Sequence, residues 1–155
     1  MLRIWTLIIL LLSVLTYSLL AFYAVVDFPR TREQTRIDFA QASFTVEVPN
    51  TPYRVRRGLQ ERSHLAAGTG MLFVFPGRQV VHFWMKDTLI PLDMIWMDEH
   101  LRVIHIEKSV PPCTVSPCPT YGPVLPARYV LEINAGQADR ANIHVGDKAQ
   151  GISGF

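Results

Sequence analysis

The chain has 155 residues, a length that fits one domain of the usual size of roughly 100 to 200 residues. Hydrophobic residues make up 49% of the sequence and charged residues only 18%, so the chain can hold both a core and a membrane segment. The formal net charge of +2 is too small for a nucleic-acid-binding domain, because such domains carry a dense basic stripe.

The N-terminal residues predict a membrane segment. Residues 4–26 contain no charged side chain, and a helix of this length covers the roughly 30 Å hydrocarbon core of a bilayer. We expect an uncleaved anchor over residues 1–27, with a cleaved signal peptide as the alternative. The apolar part of a signal peptide usually has only about 7 to 15 residues, which favours the anchor. The lipid bilayer is therefore the first expected partner, through residues 4–26.

Two features predict opposite orientations of this anchor. Three arginines lie between positions 30 and 36, which would keep the C-terminal side in the cytoplasm. Cys113 and Cys118 are the only cysteines, and an even number of close cysteines is typical of a disulfide in an exported protein. We expect a Cys113–Cys118 disulfide and a domain outside the cytoplasm, in the periplasm or on the cell surface. Two unpaired thiols are the alternative, whereas a zinc site would lack ligands.

The remaining elements follow in chain order. Residues 28–40 are polar and lack periodicity, which predicts a linker. Residues 41–155 read as one β-rich domain, with a short amphipathic helix within residues 53–65 and a hairpin turn at residues 98–100. The predicted strands are Phe44–Val48, Met71–Phe75, Val80–Lys86, Leu92–Asp98, Leu101–Lys108, Arg128–Asn134 and an edge strand Ile143–Ala149.

This pattern predicts the fold class. Many short strands with little helix are typical of a mainly β domain, built as an antiparallel β-sandwich or a partly open barrel with one or two short helices. The N-terminal transmembrane helix precedes that domain. No internal repeat or low-complexity segment interrupts it.

Alternation along two predicted strands nominates a binding face. Successive side chains of a strand point in opposite directions, so His82, Trp84 and Lys86 share one side of their strand. Trp84 would offer a stacking surface. The alternative is that Lys86 forms an ion pair with Glu132 across strands. This face would then be a stable surface that binds no ligand. The same alternation places three polar side chains on one side of the second strand: Arg128, Glu132 and Asn134.

Asp93 is the one acidic residue in an otherwise apolar strand. Because it follows Pro91, it can accept backbone N–H groups from the connection over residues 86–90, which is a structural role. A ligand-binding or acid–base role is the alternative, and burial without a partner would then raise its pKa.

Several motifs occur together in one order: Arg57-Gly58-Leu59, Gly70 to Phe75, Phe83 to Thr88 with Ile90 to Asp93, Pro126 to Glu132 with Asn134-Ala135-Gly136, and Val145-Gly146-Asp147. Through them, residues 44–150 resemble a bacterial and archaeal family called domain of unknown function 192, or DUF192. The resemblance implies a small, mainly β domain that is often exported or membrane-tethered, with no catalytic residues to carry over. The cysteine loop departs from the expected shorter connection.

Three functions follow from these observations. We expect a membrane-tethered extracytoplasmic domain that binds a small polar ligand, a glycan or a peptide of the cell envelope. An envelope hydrolase that uses Asp93 or Glu132 as a general base is the first alternative, and a structural or assembly protein without a ligand is the second. The sequence contains no G-x-S-x-G, H-E-x-x-H or P-loop motif, which favours a binding module over an enzyme. It predicts no metal and no cofactor.

Overall fold

The computed structural model describes residues 34–153, and the predicted membrane segment over residues 4–26 lies outside them. Within residues 34–153, no helix is both long and apolar enough to cross a membrane. The described elements are β1 (Gln34–Asp38), β2 (Ser43–Glu47), α1 (Pro52–Arg57), β3 (Thr69–Gln79), β4 (Phe83–Trp84), β5 (Leu92–Met97), β6 (Val103–Val110), β7 (Thr120–Tyr121), β8 (Ala127–Asn134), α2 (Gln137–Arg140) and β9 (Gly151–Ser153).

Seven of these strands form one sheet in the order β6-β5-β8-β3-β2-β1-β9, while β4 and β7 form a separate two-stranded ribbon. β2 and β3 are parallel, and the other neighbours are antiparallel. A parallel pair needs a long crossover, which α1 and the loop after it provide.

The prediction of a mainly β domain with short helices is confirmed, but the antiparallel sandwich is wrong. The strands belong to one mixed sheet that does not close into a barrel. The segment after α2 lies against the start of β6, where the Val103 amide donates to the Asp147 carbonyl over 2.8 Å. Within residues 34–153, β6 and β9 are the edge strands of the sheet, and this segment covers only the start of β6.

Several predicted boundaries also differ from the structure. β1 lies inside the predicted linker 28–40, where Thr35 and Ile37 alternate with exposed neighbours and are buried. The strand predicted over residues 80–86 shortens to β4. The edge strand predicted over residues 143–149 forms turns, because that segment bonds to the beginning of β6, and β9 follows it. The predicted helix ends early, at Gly58.

The sheet has a hydrophobic core on each side. On the face we call the closed face, Leu72, Ile95 and Leu131 pack beneath α2 and the segment after it. On the face we call the open face, Phe73, Trp96 and Val130 pack against the loop after α1 and the segment around β4. Because β5 and β8 are interior strands covered on both sides, almost every side chain in them is partly or fully buried.

Candidate functional site

A cleft of about 240 Å³ opens on the open face of the sheet. Its lining comes from the end of α1, from β3, from the segment around β4 and from β8. The lining residues are Val55, Arg56, Arg57, Gly58, Leu59, Gln60, Phe73, Phe75, Val81, His82, Phe83, Trp84, Thr88 and Glu132.

Alternation in the segment around β4 builds one wall of the cleft. Val81, Phe83 and Met85 point inward, whereas His82, Trp84 and Lys86 are exposed. The Phe83 ring packs edge-on against Phe73, with ring centroids 4.9 Å apart. The predicted alternation is therefore present, although only two residues form a regular strand. It leaves Trp84 46% exposed at the cleft.

The end of α1 forms the opposite wall. Thr51 caps the helix by accepting the Arg54 amide, and Pro52 occupies its first turn. The helix stops at Gly58, whose φ of +51° favours glycine. A side chain at that position would also reach the Phe73 ring, 3.4 Å away. This turn directs Leu59 into the core beneath the cleft.

Glu132 lies at the base of the cleft and is only 4% exposed. On the open face its strand neighbours are Met71 on β3 and Met94 on β5, both apolar. Among residues 34–153 its carboxylate has no hydrogen-bond partner. No fully buried side-chain oxygen in that range lacks a partner, so the remaining exposure of this carboxyl faces the cleft.

Burial controls the chemistry of this carboxyl. Removal from water disfavours the charged form and raises the pKa of Glu132 from 4.5 to about 8, while the positive charge of Arg62 acts weakly in the other direction. Arg62 itself is held by two hydrogen bonds to Glu47, at 2.6 and 2.8 Å. The hydrogen bond to Glu47 raises the pKa of Arg62. Glu132 is therefore mostly protonated at neutral pH and can both donate and accept a hydrogen bond.

Basic groups surround the mouth of the cleft. Arg57 is already engaged, since it donates to the Tyr53 hydroxyl at 2.9 Å and to Glu61 at 2.5 Å. Arg56 is exposed and has no ion pair or hydrogen bond within the described part of the chain. Lys86 lies outside the lining, with its Nζ 5.5 Å from the centre of the Trp84 ring.

The structure brings three of the seven predicted site residues to the cleft, namely His82, Trp84 and Glu132. Lys86 stays beside Trp84 and forms no ion pair with Glu132, because β4 is not a neighbour of β8. The alternative prediction, an ion pair between Lys86 and Glu132 across neighbouring strands, is therefore wrong.

The other three predicted residues have structural contacts. Arg128 donates to the Pro76 carbonyl and lies over the Tyr129 ring. The Asn134 amide donates to the Leu65 carbonyl at 2.8 Å, which covers that end of β8.

Asp93 is fully buried on the closed face, away from the cleft. One of its oxygens accepts the Ser109 amide and the other accepts the Ala138 amide, each at 2.8 Å. The pairing of β5 with β6 shifts register around Asp93, which aims the Ser109 amide at it, and Ala138 belongs to the first turn of α2. This carboxylate therefore joins β5, β6 and α2, which is a structural role, but the predicted donors in the connection over residues 86–90 are wrong.

Sequence reasoning missed most of the cleft wall. Phe73 and Phe75 lie in the strand that was predicted as buried, and Arg56 and Gln60 lie in or after the predicted helix. Alternation shows which side of a strand a residue takes, but it does not show which strands are neighbours. The only feature of the sequence that could have indicated the wall formed by α1 was a basic helix that ends in glycine.

Comparison with known proteins identifies the family. The family model for DUF192, described as "Uncharacterized ACR", matches residues 34–151. The chain belongs to the DUF192 family. A comparison with curated proteins found no match.

Two crystal structures resemble this DUF192 domain. One is a protein of unknown function from Novosphingobium aromaticivorans, with 30% identity and a TM-score of 0.67 over 76% of this chain and 84% of that chain. The other is a Sinorhizobium meliloti protein described as a proposed transcription regulator, with 32% identity and a TM-score of 0.68 over 79% of this chain and 95% of that chain. Neither description names a ligand or a reaction.

One glycine of the DUF192 motifs positions the base of the cleft. A side chain at Gly70 would place its Cβ 2.4 Å from the backbone carbonyl oxygen of Glu132 and 2.9 Å from the Ile133 side chain. No real Cβ atom makes such a contact, so β3 could not approach β8 as closely. Gly70 therefore sets the position of the strand that carries Glu132.

The predicted disulfide between Cys113 and Cys118 is present, and it braces the Trp84 wall of this DUF192 domain. The Cys113 amide donates to the Met85 carbonyl at 3.2 Å. After Cys118 the chain enters β7, where Thr120 pairs with Trp84. Both ends of the disulfide loop thus contact the segment that carries Trp84. Within residues 34–153 no cluster of His, Cys, Asp or Glu could hold a metal ion.

Proposed function

We propose that this DUF192 domain is a membrane-tethered, extracytoplasmic binding module that holds a small ligand of the cell envelope in the open-face cleft. The observation that carries this proposal is the Glu132 carboxyl, which is buried, has no partner in residues 34–153 and faces an aromatic cleft. A buried polar group normally has a hydrogen-bond partner, so one without a partner is a candidate ligand contact.

The shape and lining of the cleft support a small ligand with a flat apolar surface. A cleft of about 240 Å³ lies below the range of roughly 300 to 1,000 Å³ that holds drug-sized molecules. It suits one sugar ring or one peptide side chain. Trp84 and Phe75 offer ring faces and edges for stacking, and Glu132 offers one directional hydrogen bond.

Two features support the proposed location. Residues 4–26 lack charge over a length that covers a bilayer. The Cys113–Cys118 disulfide is typical of proteins that fold outside the reducing cytoplasm.

A ligand screen on the full chain in lipid nanodiscs tests the proposal. The screen uses envelope-derived sugars and short peptides, and it compares the native chain with Trp84→Ala and Glu132→Gln. We expect a ligand whose binding weakens in both variants and is unchanged in Val145→Ala, which alters an exposed side chain outside the cleft. Ligands that bind the native chain and both cleft variants equally would contradict the proposal.

One observation favours a hydrolase as a second candidate. A carboxyl with a pKa of about 8 is protonated at neutral pH and can serve as a general acid, and His82 lines the same cleft. Asp93 is unsuited to this role because both of its oxygens already accept backbone N–H groups. If the ligand is also cleaved, Glu132→Gln should abolish product formation even at ligand concentrations that saturate the variant. Binding without any product in the native chain would exclude this candidate for that ligand.

A further inference from the structure

The cleft changes character from its base to its mouth. Glu132 is the polar group at the base, and aromatic and aliphatic side chains surround the space above it. Arg56 and His82 lie in the part of the lining that is exposed to solvent, and Lys86 lies just beyond, beside Trp84. A ligand that fills the cleft therefore meets three chemically different environments in order.

The base of the cleft favours a neutral hydrogen-bonding group over a cation. A cation at Glu132 would lie in apolar surroundings between Met71 and Met94, and the positive charge of Arg62 already acts on this position. Burying a second positive charge there is costly. A protonated carboxyl can instead donate to and accept from a hydroxyl group of the ligand.

The mouth of the cleft favours an anion. Arg56 has no partner within the described residues, whereas the charge of Arg57 is balanced by Glu61. Asp87, next to Lys86 in the sequence, is a second exposed acidic residue on this side, where its backbone carbonyl accepts the Glu61 amide at 2.7 Å. A guanidinium without a partner at the edge of an apolar cleft is well suited to a carboxylate or phosphate, which it can bind through two parallel hydrogen bonds.

We infer that the ligand is a small amphiphile with a hydroxyl group that reaches Glu132, a flat apolar body against Phe75 and Trp84, and an anionic group held at the mouth by Arg56. This inference rests on the proposed binding function and adds the chemical class of the ligand. It assigns Arg56 as the residue that selects the charge of the ligand, and Glu132 as the residue that selects its inner group.

Three matched probes test the inference on the full chain in nanodiscs made of zwitterionic lipid. The reference probe is 3-(4-hydroxyphenyl)propionate, which has a hydroxyl, a ring and a carboxylate. 3-Phenylpropionate lacks the hydroxyl, and tyramine carries an amine in place of the carboxylate. Trp84 is partly exposed at the cleft, so its fluorescence reports binding. Trp5→Phe removes the one tryptophan that lies outside residues 34–153. The third tryptophan, Trp96, is fully buried and does not face the cleft.

We expect the reference probe to bind most tightly at pH 7. Loss of one net hydrogen bond corresponds to roughly 2- to 10-fold weaker binding of 3-phenylpropionate. Replacement of the carboxylate by an amine should weaken binding by roughly 1.5- to 5-fold, as expected for an exposed charge pair that is lost.

Two variants assign each preference to its residue. Arg56→Gln should remove the preference for the reference probe over tyramine, and Arg54→Gln should keep it, because Arg54 lies on the same helix outside the cleft lining. Glu132→Met should remove the preference for the hydroxyl. Both Arg variants change partly or fully exposed side chains, so the fold is expected to survive, and circular dichroism checks this.

The outcomes separate the inference from the proposed function. Tighter binding of tyramine, equal binding of all three probes, or a charge preference that persists in Arg56→Gln would overturn the inference and leave a binding cleft of another specificity. Failure of all three probes to bind, together with a negative envelope screen, would overturn both.

Discussion

The two buried carboxylates of the sheet have opposite surroundings. Asp93 on β5 points to the closed face and accepts two backbone amides, both at 2.8 Å. Glu132 on the neighbouring β8 points to the open face and lies between two methionines, and its carboxyl has no hydrogen bond with any of residues 34–153. The two residues are similarly inaccessible to water, so burial alone does not distinguish them.

The two residues differ in their hydrogen-bond partners. This difference gives Asp93 a structural role and leaves Glu132 as the candidate functional group. The hydrogen bonds of Asp93 hold a register shift in β6 and the first turn of α2, which explains an acidic residue in an apolar strand. Glu132 stabilises nothing that the structure shows, and its burial opposes its charged form. Such a group is a candidate contact for the ligand proposed above.

The largest expected effect is a loss of stability with rising pH that depends on Glu132. Its folded-state pKa of about 8 lies above the ordinary value of 4.5, so the folded chain holds the proton more tightly than the unfolded chain. The contribution of this proton to the free energy of unfolding is complete below about pH 4.5 and is lost as the pH rises through 8. The total loss is on the order of 4 to 5 kcal/mol. Urea unfolding of the native chain at pH 5 and pH 8.5 measures it.

Glu132→Gln is the control for this pH dependence. The amide does not titrate. In this variant, the slope of the unfolding free energy against pH should therefore lack the part that Glu132 contributes. Asp38, whose pKa is lowered by hydrogen bonds from Ser43 and Arg36, titrates below this pH window. Equal slopes in the native chain and in Glu132→Gln would show that Glu132 is not an isolated buried acid.

Asp93→Asn should cause the next largest effect, a loss of about 2 to 4 kcal/mol of unfolding free energy. Its amide retains one oxygen as an acceptor and turns its NH₂ toward the second backbone donor, so one buried N–H loses its bond and the other loses a charged acceptor. Glu132→Gln at pH 7 should cost little by comparison. If both substitutions had the same effect at that pH, the distinction between the two carboxylates would fail.

Replacing both Cys113 and Cys118 by serine should lower the free energy of unfolding by about 2 kcal/mol. The loss is small for a disulfide because the loop that it closes is short. The protection of the open face should fall most. Hydrogen exchange of the β4 and β7 amides should become faster, since the loop contacts Met85 and leads into β7. The Ser109 and Ala138 amides, which bond to Asp93, serve as the internal reference and should become faster by a smaller factor.

The smallest expected effect belongs to Lys86. Its ammonium group lies 5.5 Å from the Trp84 ring centre, and both side chains are exposed. An exposed cation–π contact contributes roughly 0.5 to 1 kcal/mol, so Lys86→Gln should change the unfolding free energy by no more than this. A larger loss in thermal or urea unfolding would mean that Lys86 has a further partner.

The sequence predicts the direction of side chains better than it predicts their neighbours. Alternation placed Trp84 and His82 outward and Phe83 inward, as the structure has them. It also placed Arg128, Glu132 and Asn134 on one side of their strand. Only Glu132 reaches the cleft, because Pro76 and Leu65 occupy the positions beside the other two.

The rest of the site depends on contacts distant in sequence. Arg62 acts on Glu132 only after a crossover has made β2 and β3 parallel, and a local pattern contains no signal for such a crossover. β1 is too short and too polar to be distinguished from a linker until its pairing with β2 and β9 is known. The two roles of Asp93 also look alike in sequence, since its donors lie 16 and 45 residues away.

A pH titration of the Glu132 carboxyl carbon by NMR, on the ¹³C-glutamate-labelled full chain in nanodiscs, tests the central claim most directly. The signal absent from Glu132→Gln identifies the residue. A midpoint near pH 8, with a change in the signal when 3-(4-hydroxyphenyl)propionate is added, is the predicted result. A midpoint near the ordinary value of 4.5, with no response to the probe, would mean that the carboxyl is solvated or paired and that the cleft has no acid at its base.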